Sequence, residues 1–391
     1  MKILVVGGGS GGHVTPAIAV VQEVLKEKPK TEVRFWTDKK YYKNVVKITT
    51  LQNVKMRVKK IPAGKFRRYT HIRAYEYLLP ENWRILGQNG VDFFRVGWAI
   101  FVSICRMIIW RPNVVFLKGG YVSLPVGVAA RVLSVPYVIH DSDAQLGLTS
   151  RLLVKKAAKV ALGMPPSDSV KEDQKYIWTG IPVNEEFHKI GEAEKRRFMR
   201  ELELDPDKPL VLATGGSQGS MHLNDAVGTI LPDLLKVSSV VLIAGRNKYQ
   251  DSISLKDYEV WEKGKMKSDF RLFEFSTEMP KLLGAADVII SRAGATTIAE
   301  IAAMRKAMVL IPYGVLPGKH QSKNADMLAK AGAAKVIEDE DMMKDPLKLL
   351  KEVKYLVKNK DARDEMAKKL YETARPDAAK ELARVVLEVA K

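Results

Sequence analysis

His13 stands directly behind the loop GGGSGG, residues 7–12. Five glycines in six residues strip that loop of side chains and leave backbone N–H groups able to approach an anion at a helix start. An imidazole with an ordinary pKa near 6.5 can take a proton at neutral pH. His13 is therefore the candidate general base, with a helix-capping or structural role as the alternative. Gly7, Gly9 and Gly12 also satisfy G-x-G-x-x-G, and Asp38 closes the next apolar run. A nicotinamide enzyme keeps its ribose carboxylate at that place. On this loop alone an NAD(P)-dependent oxidoreductase stays open, and so does a purely structural turn.

Further loops of the same kind follow. GGSQGS covers residues 215–220, and Gly119, Gly120 and Tyr121 come directly after the run VVFLK. In SRAGATTIAE a strand gives way to a glycine turn and a helix start, whose dipole favours a phosphate. Glu300 lies about one turn inside that helix, where a carboxylate can accept two hydrogen bonds from a ribose diol. Several phosphate-ready loops fit two phosphorylated ligands better than one dinucleotide. A non-catalytic protein binding a sugar nucleotide or a polyanion is the remaining rival. Asp141 and Asp143 spell D-x-D, a spacing at which two carboxylates can hold a divalent ion on a diphosphate. Helix N-termini already offer positive potential to a diphosphate, so neither a metal nor a cofactor is expected.

The elements that must position these groups alternate throughout. KILVVGG, VRFWTD, NVVFLKGG and PYVIHDSD read as buried strands, separated by segments of helical spacing. After Gly180 the grammar restarts with LVLATGG, VVLIAGR, VIISRAG and MVLIPYG. This predicts an α/β chain of two Rossmann-like doubly wound parallel-sheet domains facing a cleft, with ligands at the carboxyl ends of strands. Thr15 and Pro16 are expected at the N-cap and first position of the first helix. The run from Val91 to Trp110 is largely apolar, but Arg95 and Arg106 interrupt it, so a helix packed on the sheet is expected rather than a membrane span.

The 391 residues carry a formal net charge of +19 and a single cysteine, Cys105. One cysteine excludes an internal disulfide and fits a reducing compartment. No charged-then-apolar leader opens the chain, so a cytosolic location is expected. From Lys39 to Arg73 there are twelve Lys or Arg and no acid. Such a block suits nucleic acid, an anionic membrane face or an anionic substrate. No nucleic-acid module is legible, and nucleic acid is not expected as a partner.

As a set, GGGSGGHVTPAIAV, KGGYVSLPVGVAA, HDSDAQLGLTSRLL, TGIPVN, GGSQGSMHLN, SRAGATTIAEIAA and HQSKNADMLAKAGAA resemble the MurG family of GT-B glycosyltransferases over nearly the whole chain. That resemblance implies an inverting, metal-independent transfer of N-acetylglucosamine from UDP-N-acetylglucosamine to the C4 hydroxyl of lipid-linked N-acetylmuramyl-pentapeptide. It implies an acceptor- and membrane-facing domain over 1–180, a UDP-sugar domain over 185–370, and a helix in 371–391 returning to the first domain.

Residue by residue, it assigns donor contacts to Ser217, Ala295, Thr296, Thr297, Glu300 and Gln321, with the backbone of Ser276 on the uracil. Ser10, Gly11 and Gly12, with Gly119, Gly120 and Tyr121, fall near the acceptor diphosphate and the donor sugar. His140 is a second candidate at the acceptor, or a residue that shapes the site. Two positions depart from the family: Asp143 replaces a donor-contacting amide, and Asn184 replaces an arginine. The surplus between Arg73 and Phe94 places aromatics beside the basic block, which fits peripheral binding to an anionic membrane surface at the cytoplasmic face.

Overall fold

The computed structural model describes residues 1–9, 11–64, 83–143, 146–165, 173–216, 219–259, 261–262, 265–266, 268–314, 320–373, 375 and 377–391. The chain divides into two compact units, Met1–Asn184 with Pro376–Lys391, and Glu185–Arg375.

The first unit is built on β1 (Lys2–Val6), β2 (Glu32–Thr37), β3 (Arg57–Lys60), β4 (Val114–Leu117), β5 (Tyr137–Asp141), β6 (Lys159–Leu162) and β7 (Tyr176–Trp178). They form one sheet in the order β3-β2-β1-β4-β5-β6-β7, with every pairing parallel. Strands buried on both faces read as continuous apolar runs, as KILVV and VVFL do. The order reverses between β1 and β4, so the loops after these two strands open side by side at the switch point.

Helices α1 (Gly11–Glu27), α2 (Tyr42–Leu51), α3 (Trp83–Trp110), α4 (Ser123–Val132) and α5 (Leu148–Leu153) cover this sheet. α1 starts one turn before the expected Thr15 cap. Thr15 is internal, its hydroxyl donating to the Gly11 carbonyl at 3.3 Å, and Pro16 is the sixth helical residue. The reason is local: Gly11 and Gly12 carry no side chain to block a turn that begins against the loop. The consequence is functional, because His13 becomes part of the first turn.

α3 buries Val96, Ala99, Ser103, Met107 and Trp110, a stripe at helical spacing that faces α4. Arg106 donates to the Lys60 carbonyl at 2.7 Å. The opposite face leaves Phe93, Phe94, Trp98, Phe101, Ile108 and Ile109 exposed. By length and composition Gly90–Trp110 could cross a bilayer.

The second unit repeats the plan with β8 (Leu210–Thr214), β9 (Ser239–Ile243), a short antiparallel hairpin of β10 (Trp261–Glu262) and β11 (Lys265–Met266), β12 (Phe270–Phe273), β13 (Val288–Ser291), β14 (Ala307–Leu310) and β15 (Lys335–Val336). The six main strands are parallel in the order β12-β9-β8-β13-β14-β15, and the switch point lies between β8 and β13. Its helices are α6 (Glu192–Glu201), α7 (Met221–Leu234), α8 (Met279–Ala285), α9 (Ala295–Ala303), α10 (His320–Lys330), α11 (Asp339–Lys344), α12 (Leu347–Lys358) and α13 (Lys360–Thr373). The last helix, α14 (Ala378–Val389), belongs to the first unit. Its Leu382, Ala383 and Val386 share a core with Val14, Ala17 and Val21 of α1.

Candidate active site

In the first unit the loops after β1 and β4 interlock around His13. The Nδ1 atom of His13 lies 3.1 Å from the Lys118 carbonyl oxygen. A carbonyl only accepts, so Nδ1 carries the hydrogen and Nε2 keeps its lone pair. The ring lies against the backbone of Gly120. A Cβ on Gly120 would stand 3.1 Å from Cδ2 and 3.2 Å from Nε2 of His13, and its φ of 75° is left-handed. Only glycine lets the imidazole rest there. Burial, and then the Lys118 charge, lower the His13 pKa to about 4, against a smaller opposing effect of Asp141. The ring is therefore neutral at physiological pH.

Tyr121 and Asp38 tie the same loops together. The Tyr121 hydroxyl donates to Asp38 Oδ2 in a short hydrogen bond, and the Tyr41 amide donates to Asp38 Oδ1 at 2.9 Å. The Tyr121 ring covers Gly9, whose φ is 81° and whose Cβ would come within 2.7 Å of Cε1. Asp38 is buried with both oxygens engaged. The ribose carboxylate that a nicotinamide enzyme requires is thus committed to the fold. The Tyr121 hydroxyl is likewise engaged within the fold.

His140 is the second histidine singled out from the sequence. It is fully buried at the end of β5, and its Nε2 donates to the Gly180 carbonyl at 2.8 Å. Burial holds its pKa well below the ordinary value. Asp141 accepts the Gly147 amide at 2.8 Å through Oδ2, which anchors the start of α5. Lys118 is fully buried, and its Nζ donates to Ser142 Oγ at 2.6 Å.

In the second unit the loops after β8 and β13 adjoin in the same way. Ser220 caps α7 by accepting the Leu223 amide at 3.3 Å. Its Oγ also accepts from Arg292 Nε at 3.0 Å and Nη2 at 2.5 Å. The guanidinium continues to Asp339 Oδ1 at 2.6 Å and to the Ile311 carbonyl at 3.2 Å, while His222 Nδ1 donates to Asp339 Oδ2 at 2.8 Å. Arg292 is buried, and this network fixes the end of the glycine loop against the β13 turn. α9 begins at Ala295 behind Gly294, which has no side chain to cap the first turn. That end of a helix favours an anion. Burial pushes the Glu300 carboxyl up to about 8. Gln321 accepts the Tyr313 amide at 2.9 Å, which ties the start of α10 to the loop after β14. Ser276 accepts the Glu278 amide at 3.0 Å in the loop after β12.

Known families meet this chain on both units. The glycosyltransferase family 28 N-terminal domain matches residues 3–162, and the family 28 C-terminal domain matches residues 210–382. The UDP-N-acetylglucosamine–N-acetylmuramyl-(pentapeptide) pyrophosphoryl-undecaprenol N-acetylglucosamine transferase of Clostridium kluyveri is 34% identical over 358 residues, 91% of each chain. That of Desulfitobacterium hafniense strain Y51 is 30% identical over 395 residues, covering 100% of each. The crystal structure of Acinetobacter baumannii MurG aligns with a TM-score of 0.70 at 25% identity, over 99% of each chain. The chain belongs to the MurG family of glycosyltransferases. CalG4, the calicheamicin glycosyltransferase, shares the fold alone, with a TM-score of 0.65 at 13% identity.

Against this MurG frame, the structure gathers Gly11, Gly12, His13, Gly119, Gly120 and Tyr121 at the first switch point. Ala295, Thr296, Thr297 and Glu300 lie on α9 behind β13, Ser276 lies in the loop after β12, and Gln321 is the second residue of α10 after β14. Asn184 is the last residue of the first unit, and Asp143 follows β5. Ser10 and Ser217 lie outside the described residues. Sequence reasoning missed Lys118, Arg292 and Asp339. Lys118 and Arg292 are lone charges at strand ends and Asp339 is one of four consecutive acids at a helix start, and only burial distinguishes them from ordinary surface charges. For Lys118 one signal was present: a lysine closing the apolar run VVFLK, immediately ahead of the glycines.

Proposed function

We propose that this chain moves N-acetylglucosamine from UDP-N-acetylglucosamine to the C4 hydroxyl of a lipid-linked N-acetylmuramyl-pentapeptide, with inversion and with His13 as general base. The observation that carries the assignment of His13 is the contact of its Nδ1 with the Lys118 carbonyl. Nδ1–H is held by the Lys118 carbonyl, so the lone pair of Nε2 is bare beside Gly120. In the step, Nε2 takes the acceptor hydroxyl proton while the oxygen forms its bond to the anomeric carbon. The bond from that carbon to the diphosphate breaks, and its electron pair leaves with UDP. A base that is neutral across the physiological range suits this step.

Binding of UDP is assigned to the second unit. The uncapped start of α9 and the loop ending at Ser220 favour the diphosphate, and Glu300 accepts the ribose hydroxyls. The leaving group is stabilised by these helix ends without a metal. Gly11, Gly12, Gly119 and Gly120 supply backbone to the sugar and the acceptor diphosphate, with Ser10 among them. The enzyme works as a peripheral protein on the cytoplasmic face of the membrane. The exposed apolar face of α3 and the lysines from Lys39 to Lys60 support that location. The rest of the basic block, from Lys65 to Arg73, lies outside the described residues.

The deciding experiment supplies labelled UDP-N-acetylglucosamine and lipid-linked muramyl-pentapeptide. A labelled disaccharide lipid is expected. UDP binding without product would make this a binding protein, and NADH binding to the loop after β1 would restore the oxidoreductase.

A further inference from the structure

Lys118 is the residue at this site that neither the proposed chemistry nor the sequence pattern uses. It directly follows β4, is fully buried, and directs its ammonium away from solvent onto Ser142 Oγ at 2.6 Å. Its own carbonyl accepts the Nδ1–H of His13. One residue therefore meets the imidazole through its backbone and the loop after β5 through its side chain. We propose that Lys118 is a positioning residue for the transfer: its carbonyl selects the His13 tautomer, and its ammonium, buried beside that ring, pins the Asp141–Asp143 turn.

The charges around the pair define the effect. Lys118 directly after β4 and Asp141 from β5 act on His13 with opposite signs, and the lysine outweighs the aspartate. Asp141 and Asp143 act on Lys118, yet burial still lowers its pKa to about 8. His140, the remaining titratable ring against Lys118, is held neutral by burial and carries no charge into the balance. The ammonium is thus present through neutral pH, and a second positive charge on His13 is disfavoured beside it.

The inference rests on His13 being the base, and its test separates the two ideas. The ring nitrogens of His13 are followed by ¹⁵N resonance in the full-length enzyme. The unmodified protein should show the neutral Nδ1–H tautomer at pH 6, and a small second inflection near pH 8 as Lys118 loses its proton. In Lys118→Met the His13 midpoint should rise by about one unit or more. The acid limb of kcat/KM should rise with it, and donor KM should stay unchanged. Lys118→Arg, which keeps the charge, should hold the limb at its original place. Methionine replaces a buried charge by an apolar chain of similar length, a change that folded proteins often tolerate. An Nε2–H tautomer, no inflection near pH 8 in the unmodified enzyme, or an unmoved midpoint in a folded Lys118→Met protein would overturn the role of Lys118. Near-normal turnover of His13→Ala would instead overturn the base itself, and the positioning role with it.

Discussion

The imidazole of His13 is defined by what its two nitrogens can do. One is bound to a carbonyl, the other is bare, and the ring is neutral because it is buried beside a lysine. Removing it as His13→Ala should lower turnover by about 100-fold or more, the usual contribution of a positioned base. UDP affinity, measured by calorimetry, should stay largely intact, because the assigned nucleotide contacts lie in the other unit. Glu300 makes a prediction with a definite sign. Its carboxyl is raised from the ordinary 4.5 to about 8, so the empty folded protein holds that proton through neutral pH. Two ribose hydroxyls donate best to the ionised form, so UDP binding releases the proton. Affinity for UDP should therefore increase as pH climbs from 6.5 to 8.5, by about ten- to thirtyfold from this group. Glu300→Ala should abolish that slope and weaken binding at pH 8.5 by about 1.5–3 kcal/mol. An unchanged slope in the folded variant would remove Glu300 from the ribose.

At the scale of elements, the decisive feature is the pair of loops at each switch point. The strand order brings the β1 and β4 loops together, and the β8 and β13 loops likewise. Much of this was legible. Apolar β-branched runs ending in glycine give the strands and the loops, and their repetition gives two sheets. The start of α1 was not legible, because Thr15-Pro16 is a stronger local cap signal than Gly11-Gly12. Nor were the contacts of His140 and Tyr121 legible, since a polar residue at or beyond a strand end reads the same whatever it touches. In the fold these two meet the Gly180 carbonyl and Asp38. α14 provides a test of element docking. Leu382 is fully buried among residues of α1. Leu382→Ala should cost about 2–5 kcal/mol by thermal or denaturant unfolding of the first unit. A loss below 0.5 kcal/mol would mean that α14 does not complete that core in solution.

For the molecule as a whole, charge and apolar surface converge on one side of the first unit. Lys39, Lys40, Lys43, Lys47, Lys55, Arg57, Lys59 and Lys60 are all exposed, and the last three belong to β3, an edge strand. α3 is linked to that strand through Arg106 and the Lys60 carbonyl. Its outer face exposes Phe94 at 76% and Ile109 at 84%, with Trp98 and Phe101 stacked at 5.5 Å between ring centroids. A helix that buries one stripe on its own unit and shows aromatic and aliphatic side chains on the other fits the plane of a membrane interface better than a crossing. The acceptor's lipid cannot leave the bilayer, so an enzyme acting on it must reach that surface. Vesicles of anionic phospholipid should therefore bind the protein in two separable ways. Each basic residue near the leaflet contributes about 1 kcal/mol, and salt screens this attraction over a Debye length of about 10 Å at 0.1 M. Apolar insertion is not screened. Reversing Lys55, Arg57 and Lys59 to Glu should lower sedimentation with vesicles by tenfold or more at low salt and far less at 1 M. Phe94→Ser with Trp98→Ser should do the opposite, removing the binding that survives high salt. Full binding by both variants, or capture of single-stranded RNA at physiological salt in place of vesicles, would reassign this face.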